Sequence, residues 1–163
     1  MVAIEASELI DERGMEYFQS MSTFGALSDD FIREVLETGL IEQLERKEYI
    51  IRHGVPAEEF HVVLEGEVAY YKQGDGQNVL TRRFQVGEQM GFDLMLGLIP
   101  YDGTDVALQD SKVLTISKRQ FYDLHVNHPE EFGIFMLNLA RELSREIAIL
   151  EDVVGKGQGW QAE

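Results

Sequence analysis

The sequence predicts a mainly β protein with flanking helices: a double-stranded β-helix, or jelly roll, with N-terminal helices before it and one long C-terminal helix that pairs with a second copy. Three observations carry this. From residue 46 to 117, short apolar runs alternate with turns rich in Gly, Asp and Ser, the spacing of an antiparallel roll or sandwich. Residues 1–45 and 118–154 instead place apolar side chains at helical intervals. At 163 residues, 44% hydrophobic and 27% charged, the chain suits one domain with a real core.

The elements follow in order. In the helical region 1–45, Ser28 precedes Asp29 and Asp30 as an N-cap with first-turn acids. Phe31, Ile32, Val35, Leu36 and Leu40 then recur at helical spacing, and Gly39 marks the end. In the roll, Tyr49–Arg52 leads into the turn His53-Gly54-Val55-Pro56. Phe60, Val62 and Leu64 alternate before Gly66, and Val68–Tyr71 follows. Gly74-Asp75-Gly76 is a hairpin turn. Leu80, Arg82 and Phe84 share one face of the next strand, which turns Arg82 into the roll. Strands near 104–108 and 112–116 flank Gln109-Asp110-Ser111. A short helix runs from Lys118 to His128 and stops at Pro129, which suits the first turn of the long helix. On that helix Met136, Ala140, Leu143, Ile147, Leu150 and Val154 follow a heptad, the seam expected of a parallel dimer, with burial against its own domain as the alternative. Phe132, Phe135 and Leu139 form a second stripe for packing on the sheet. Residues 155–163 read as a flexible tail.

Composition excludes several functions. The chain has no cysteine, so thiolate metal sites, disulfides and Cys nucleophiles are out. The N-terminus lacks the basic start and apolar run of a signal peptide, and no apolar stretch approaches membrane-spanning length. A cytoplasmic location is expected. Thirty acidic residues against fourteen basic ones leave a formal charge of −16, and the first 45 residues hold eleven Asp and Glu against two Arg. Such a field repels phosphate backbones and anionic lipids, so neither nucleic acid nor membrane is an expected partner. The acids read as a solvated surface, with a basic protein partner as the alternative.

Several stretches resemble the sensor domain of the catabolite-activator and fumarate-nitrate-reductase regulator family. Phe24–Leu27 with Ser28-Asp29-Asp30 looks like its opening helix, and EFHVVLEGEV (59–68) like its second and third strands. Val86-Gly87-Glu88 resembles the turn before its ligand cassette. Ile116–Phe121 with Asn127-His128-Pro129-Glu130 is similar to its last strand, short helix and the start of its long helix. The resemblance covers nearly the whole chain. It implies a non-enzymatic domain that binds a cyclic nucleotide in a short helix-bearing cassette, dimerises through the long helix and here carries no DNA-binding module. In the family, backbone amides at the cassette helix and an Arg hold the phosphate, and a Gly-Glu pair meets the ribose.

The chain departs from that pattern at each side-chain position. Gly91 matches the glycine, but Phe92 stands where the Glu belongs and Asp93 follows it. Counting back from Ile116-Ser117, Tyr101 falls at the Arg position, Asp102 at its hydroxyl neighbour and Gly103 at the small residue after it. No Lys or Arg occurs from Glu88 to Ser111. A charged Arg–phosphate hydrogen bond contributes roughly 1.5–3 kcal/mol. A carboxylate about 5 Å from the phosphate adds about 3 kcal/mol of repulsion, so about three decades of affinity are expected to be lost. The expected ligand region is Arg82, Gly91, Phe92, Asp93, Leu94, Tyr101, Asp102, Gly103 and Thr104. Arg82 meets an anionic ligand, neutralises Asp93 or Asp102, or, in a shifted register, is solvated. On the long-helix side, Glu142, Ser144 and Glu146 favour hydrogen-bond donors or cations.

The expected function is a sensory or regulatory domain with atypical or lost cyclic-nucleotide recognition that signals through a protein partner. A true cAMP or cGMP domain is one alternative. The other is a ligandless interaction module in which Phe92 and Tyr101 fill the cavity. The ligand is cAMP, cGMP or another small molecule, with no metal expected: His53, His61, His125 and His128 lack the spacing of a cupin metal site. The adjacent acid pairs read as solvated or helix-start residues rather than an acid–base couple.

Overall fold

The computed structural model describes residues 1–74 and 76–157. Asp75, at the centre of the expected hairpin turn, and residues 158–163 of the expected tail lie outside them. The chain opens with β1 (Val2–Ile4), α1 (Ala6–Arg13), α2 (Met15–Gln19), a 3-10 turn (Ser22–Phe24) and α3 (Asp29–Thr38). The roll contains β2 (Leu40–Leu44), β3 (Tyr49–Ile51), β4 (Glu59–Glu65), β5 (Val68–Gln73), β6 (Asn78–Phe84), β7 (Gln89–Met90), α4 (Phe92–Gly97), β8 (Gly103–Ala107) and β9 (Ser111–Ser117). Two helices follow, α5 (Lys118–Asn127) and α6 (Pro129–Gly157).

The strands form two antiparallel sheets, ordered β1-β2-β9-β4-β7 and β3-β8-β5-β6. Strand β4 shows how one sequence serves both sides of the first sheet. Phe60, Val62 and Leu64 join the larger core under the helices. Val63 points the other way, into a smaller core with Leu44, Met90 and Val113 of its own sheet and Val68, Phe84 and Ala107 of the second. The expected alternation at 60, 62 and 64 is therefore present, but His61 and Val63 between them are buried as well.

The helices dock by their apolar stripes. Ser28 caps α3 by accepting from the Phe31 amide at 3.2 Å, and Phe31, Ile32, Val35 and Leu36 are buried. Leu40, expected to continue that helix, begins strand β2, which pairs with β9 from Leu40↔Thr115 to Leu44↔Ser111. With β1 as a further strand, the first 45 residues are not purely helical: Ile41 and Leu44 are buried by sheet packing. Ser117 caps α5 through the Gln120 amide at 3.2 Å.

Helix α6 is longer than expected, running through Gly155 to Gly157. Phe135 and Leu139 pack fully into the larger core, with Phe132 partly buried beside them. The heptad positions divide: Met136 and Leu143 pack partly on the same core, whereas Ala140, Ile147, Leu150 and Val154 are exposed. Half a heptad falls slightly short of a full helical turn, so a seam read as straight winds from the domain face into the open.

Candidate functional site

The segment between β7 and β8 is shaped by close ring-to-glycine contacts. Gly91 adopts φ +77°, and a Cβ there would lie 2.8 Å from the Tyr101 ring. Only glycine accepts both the left-handed backbone and the ring. Tyr101 is held by its hydroxyl, which donates to the Glu59 carbonyl at 2.5 Å. Phe92, the first residue of α4, turns inward and meets Phe60 and Phe121 at 5.2 and 5.7 Å between ring centres. Its amide donates to the Gln89 side-chain oxygen at 3.1 Å.

Opposite α4, strand β8 alternates: Gly103, Asp105 and Ala107 face inward, and Thr104 and Val106 are half-exposed. In β6 the pairing with β5 shifts from Tyr70↔Arg82 to Tyr71↔Leu80. Thr81 is therefore an extra residue, a bulge. That breaks the expected face: Arg82 and Phe84 turn inward, while Leu80 is 42% exposed.

Together these elements enclose a cavity of about 460 Å³ between α4, β5, β6, β8 and the far part of α6. Of the expected ligand residues, Arg82, Gly91, Asp93, Leu94, Tyr101 and Asp102 lie on its wall. Phe92, Gly103 and Thr104 do not. Phe92 is committed to the core, Gly103 is covered by the Tyr70 ring, and Thr104 faces away by alternation. Glu146, expected on the long-helix side, is on the wall, and Tyr70, Asp105, Ile149 and Leu150 belong to it without having been expected there. The β8 alternation was the available clue to Asp105, since two small residues flank it at i±2. Nothing local marks Tyr70, Ile149 or Leu150, because their place on the wall depends on how α6 crosses the roll.

The wall is rich in carboxylates, and its cations are already engaged. Arg82 is ion-paired with Glu146 of α6 and its guanidinium lies 4.4 Å from the Phe84 ring centre; it reaches neither of the acids expected for it, Asp93 and Asp102. Asp102 instead accepts from the Tyr70 hydroxyl and from Lys72, both at 2.6 Å, and those bonds hold its carboxyl below the usual range. Arg83 lies 3.4 Å from Glu67. Burial raises the Asp93 carboxyl, and the charge of Glu146 adds to it. Asp105 is 3% exposed, and its Oδ1 has no hydrogen-bond partner among the described residues. Burial first, then the charge of Asp93, pushes its carboxyl up to about 8.

Helix α6 is tied to this wall twice. Glu142, buried on α6, accepts from the Ser22 hydroxyl and from the Gln89 amide at 3.0 Å. Gln89 then reaches Phe92 at the start of α4. One turn on, Glu146 holds Arg82. Ser144, the third polar residue expected on this side, is exposed and donates back to the Ala140 carbonyl at 3.0 Å. His61 is buried and bonded to Thr115 at 2.9 Å, and its ring is kept neutral by burial, down to about 4. No group of His, Asp and Glu suited to a metal ion occurs among the described residues, and no described helix is long and apolar enough to cross a membrane.

The family described as "Cyclic nucleotide-binding domain" matches residues 41–128, more than half of the chain. No curated protein sequence matches it. Among solved structures, a cyclic nucleotide-binding domain from Methylobacillus flagellatus KT superposes with a TM-score of 0.83 at 18% identity, over 99% of this chain and 92% of that one. The catabolite activator protein of Thermus thermophilus gives 0.69 at 18% identity, over 82% and 63%. The sensor domain of the transcriptional regulator DNR from Pseudomonas aeruginosa gives 0.64 at 20%, over 82% and 91%.

Proposed function

Because the chain belongs to the cyclic nucleotide-binding domain family, we propose that it is a non-enzymatic regulatory domain that senses a small molecule other than an ordinary cyclic nucleotide. The observation that carries this is the open cavity whose every lining cation is already matched to a carboxylate of the chain. A cavity of about 460 Å³ lies within the range of small-molecule sites. A 3′,5′-phosphodiester entering it would meet Asp93, Asp105 and Glu146 with no unpaired cation. The same cavity argues against the ligandless module: Phe92 lies in the core and Tyr101 forms a wall, so neither ring plugs the space.

Transmission runs through α6. Glu142 and Glu146 connect the cassette to the helix whose far end presents exposed Ile147, Leu150 and Val154, the residues proposed for a homodimer seam. A ligand that favours one position of Glu146 shifts the pose of α6 by its differential affinity for the two states, and a partner protein reads the change.

A thermal-shift panel of cationic, neutral and anionic metabolites tests the reading. At least one compound raises the melting temperature of the wild type but not of Leu94→Trp, which fills the cavity from α4. Cyclic AMP and cyclic GMP show no micromolar uptake by calorimetry. Tight uptake of either nucleotide that survives Arg82→Ala, or a panel without a single binder, would overturn it.

A further inference from the structure

We propose that the cavity takes a small organic cation, a protonated primary amine with an apolar or aromatic body, with its ammonium group seated against Asp105. This rests on reading the cavity as a ligand site and names the class of ligand. Asp105 is 3% exposed, lies on the cavity wall and has an Oδ1 without a partner among the described residues. A buried carboxyl oxygen left unbonded is costly, and Asp105 stands on the wall of a cavity of about 460 Å³. Among the described residues the cations of the wall are engaged elsewhere: Lys72 is bonded to Asp102, and Arg82 and Arg83 are ion-paired with Glu146 and Glu67.

The rest of the wall decides which donor fits. Asp93 of α4 and Glu146 of α6 add negative charge beside Asp105, so an anion is repelled and a cation is drawn in. No described cluster of His, Asp and Glu is arranged for a metal ion, whereas an ammonium needs only acceptors and one counter-charge. Phe84, Leu94, Ile149 and Leu150 supply apolar surface for a hydrocarbon body. The Phe84 ring already stacks a cation, the Arg82 guanidinium, at 4.4 Å, so this environment suits positive charge on an aromatic face.

Seating the ammonium also moves a proton. The groups that bear on Asp105 are Asp93, Arg82, Tyr70 and Tyr101, with Glu146 acting on Asp93. Burial keeps the Asp105 carboxyl protonated up to about 8. An incoming R–NH₃⁺ therefore forms an ion pair with the carboxylate as the O–H proton leaves to solvent, and no other bond changes.

The test is isothermal titration of the whole chain with methylammonium, butylammonium and 2-phenylethylammonium, each beside its neutral alcohol, at pH 7. At least one ammonium binds ten-fold or more tightly than its alcohol, and its binding enthalpy changes between buffers of different ionisation heat because a proton is released. Asp105→Asn, close in size, lowers the affinity ten-fold or more. An alcohol that binds as well as its amine, an unchanged affinity in Asp105→Asn, or no binding by any amine overturns the proposal. The proton release is read on the wild type alone, so the test holds even if the variant folds poorly. If a neutral or anionic metabolite binds while every amine fails, only the ligand class falls. Silence across the whole panel removes the sensor reading with it.

Discussion

Asp105 and His61 are two buried ionisable groups whose effects on stability have opposite signs. An unfolded aspartate loses its proton near pH 4, whereas Asp105 holds its own to about 8. Between those values the native state binds more protons than the unfolded chain, so stability falls as pH rises through the window. His61 is pulled from 6.5 down to about 4. There the native state binds fewer protons, and stability is lost as pH falls through that window. The two slopes offset from about 4 to 6.5, leaving the Asp105 slope by itself from about 6.5 to 8. Across that interval it amounts to about 2 kcal/mol, roughly 4–8 °C in Tm for a chain of this size. Asp105→Asn therefore melts progressively above the wild type as pH is raised from 6 to 8.5 in thermal denaturation; parallel curves would mean that Asp105 is already ionised. Much of this chemistry was hidden in the sequence. The missing anchor could be read from Phe92, Tyr101 and Asp102, and the inward turn of Arg82 from alternation with Phe84. The partner of Arg82 could not, because Glu146 lies 64 positions away in the chain and meets it only through the crossing of α6. Leu80 was misplaced because the bulge at Thr81 leaves no local mark in the sequence.

At the scale of elements, α6 carries packing and, in the proposed dimer, association as well. Its apolar residues wind around the helix: Phe135 and Leu139 fill the core, Leu150 reaches the cavity wall, and Ile147 and Val154 remain 56% and 53% exposed. Beyond Leu143 no described residue of α6 is buried, yet Ile147, Ile149, Leu150, Val153 and Val154 are apolar. An isolated helical end with such a surface is covered most simply by another helix. Leu143 is a poor probe of that seam, since it also packs on the core. Ile147 is better: it is exposed and belongs to neither core, so Ile147→Glu places a charge on the exposed stripe alone. Sedimentation of this variant gives a monomer with a Tm within a few degrees of the wild-type protomer; a variant that still sediments as a dimer would move the seam elsewhere. The order of elements was legible from period and punctuation because caps such as Ser28 and Ser117 act locally. Strand β2 was missed because Leu40 and Ile41 continue the helical spacing of α3. Sheet pairing with β9, a tertiary effect, decides their conformation.

For the molecule as a whole, the formal charge of −16 and the apolar end of α6 act against each other. Two copies brought together repel over the Debye length, about 10 Å at 0.1 M salt and about 3 Å at 1 M, while the contact between exposed Ile147, Leu150 and Val154 gains from burial at any ionic strength. Salt removes the first effect and leaves the second. The dimer is therefore expected to tighten as sodium chloride is raised from 50 to 500 mM, by about half a decade to a decade in Kd, opposite in sign to a complex held by phosphate contacts. Analytical ultracentrifugation across that series reads the slope directly. A dimer that weakens with salt would show that ion pairs, rather than the apolar stripe of α6, hold the two copies together, and the route from Glu146 along α6 would lose its physical basis.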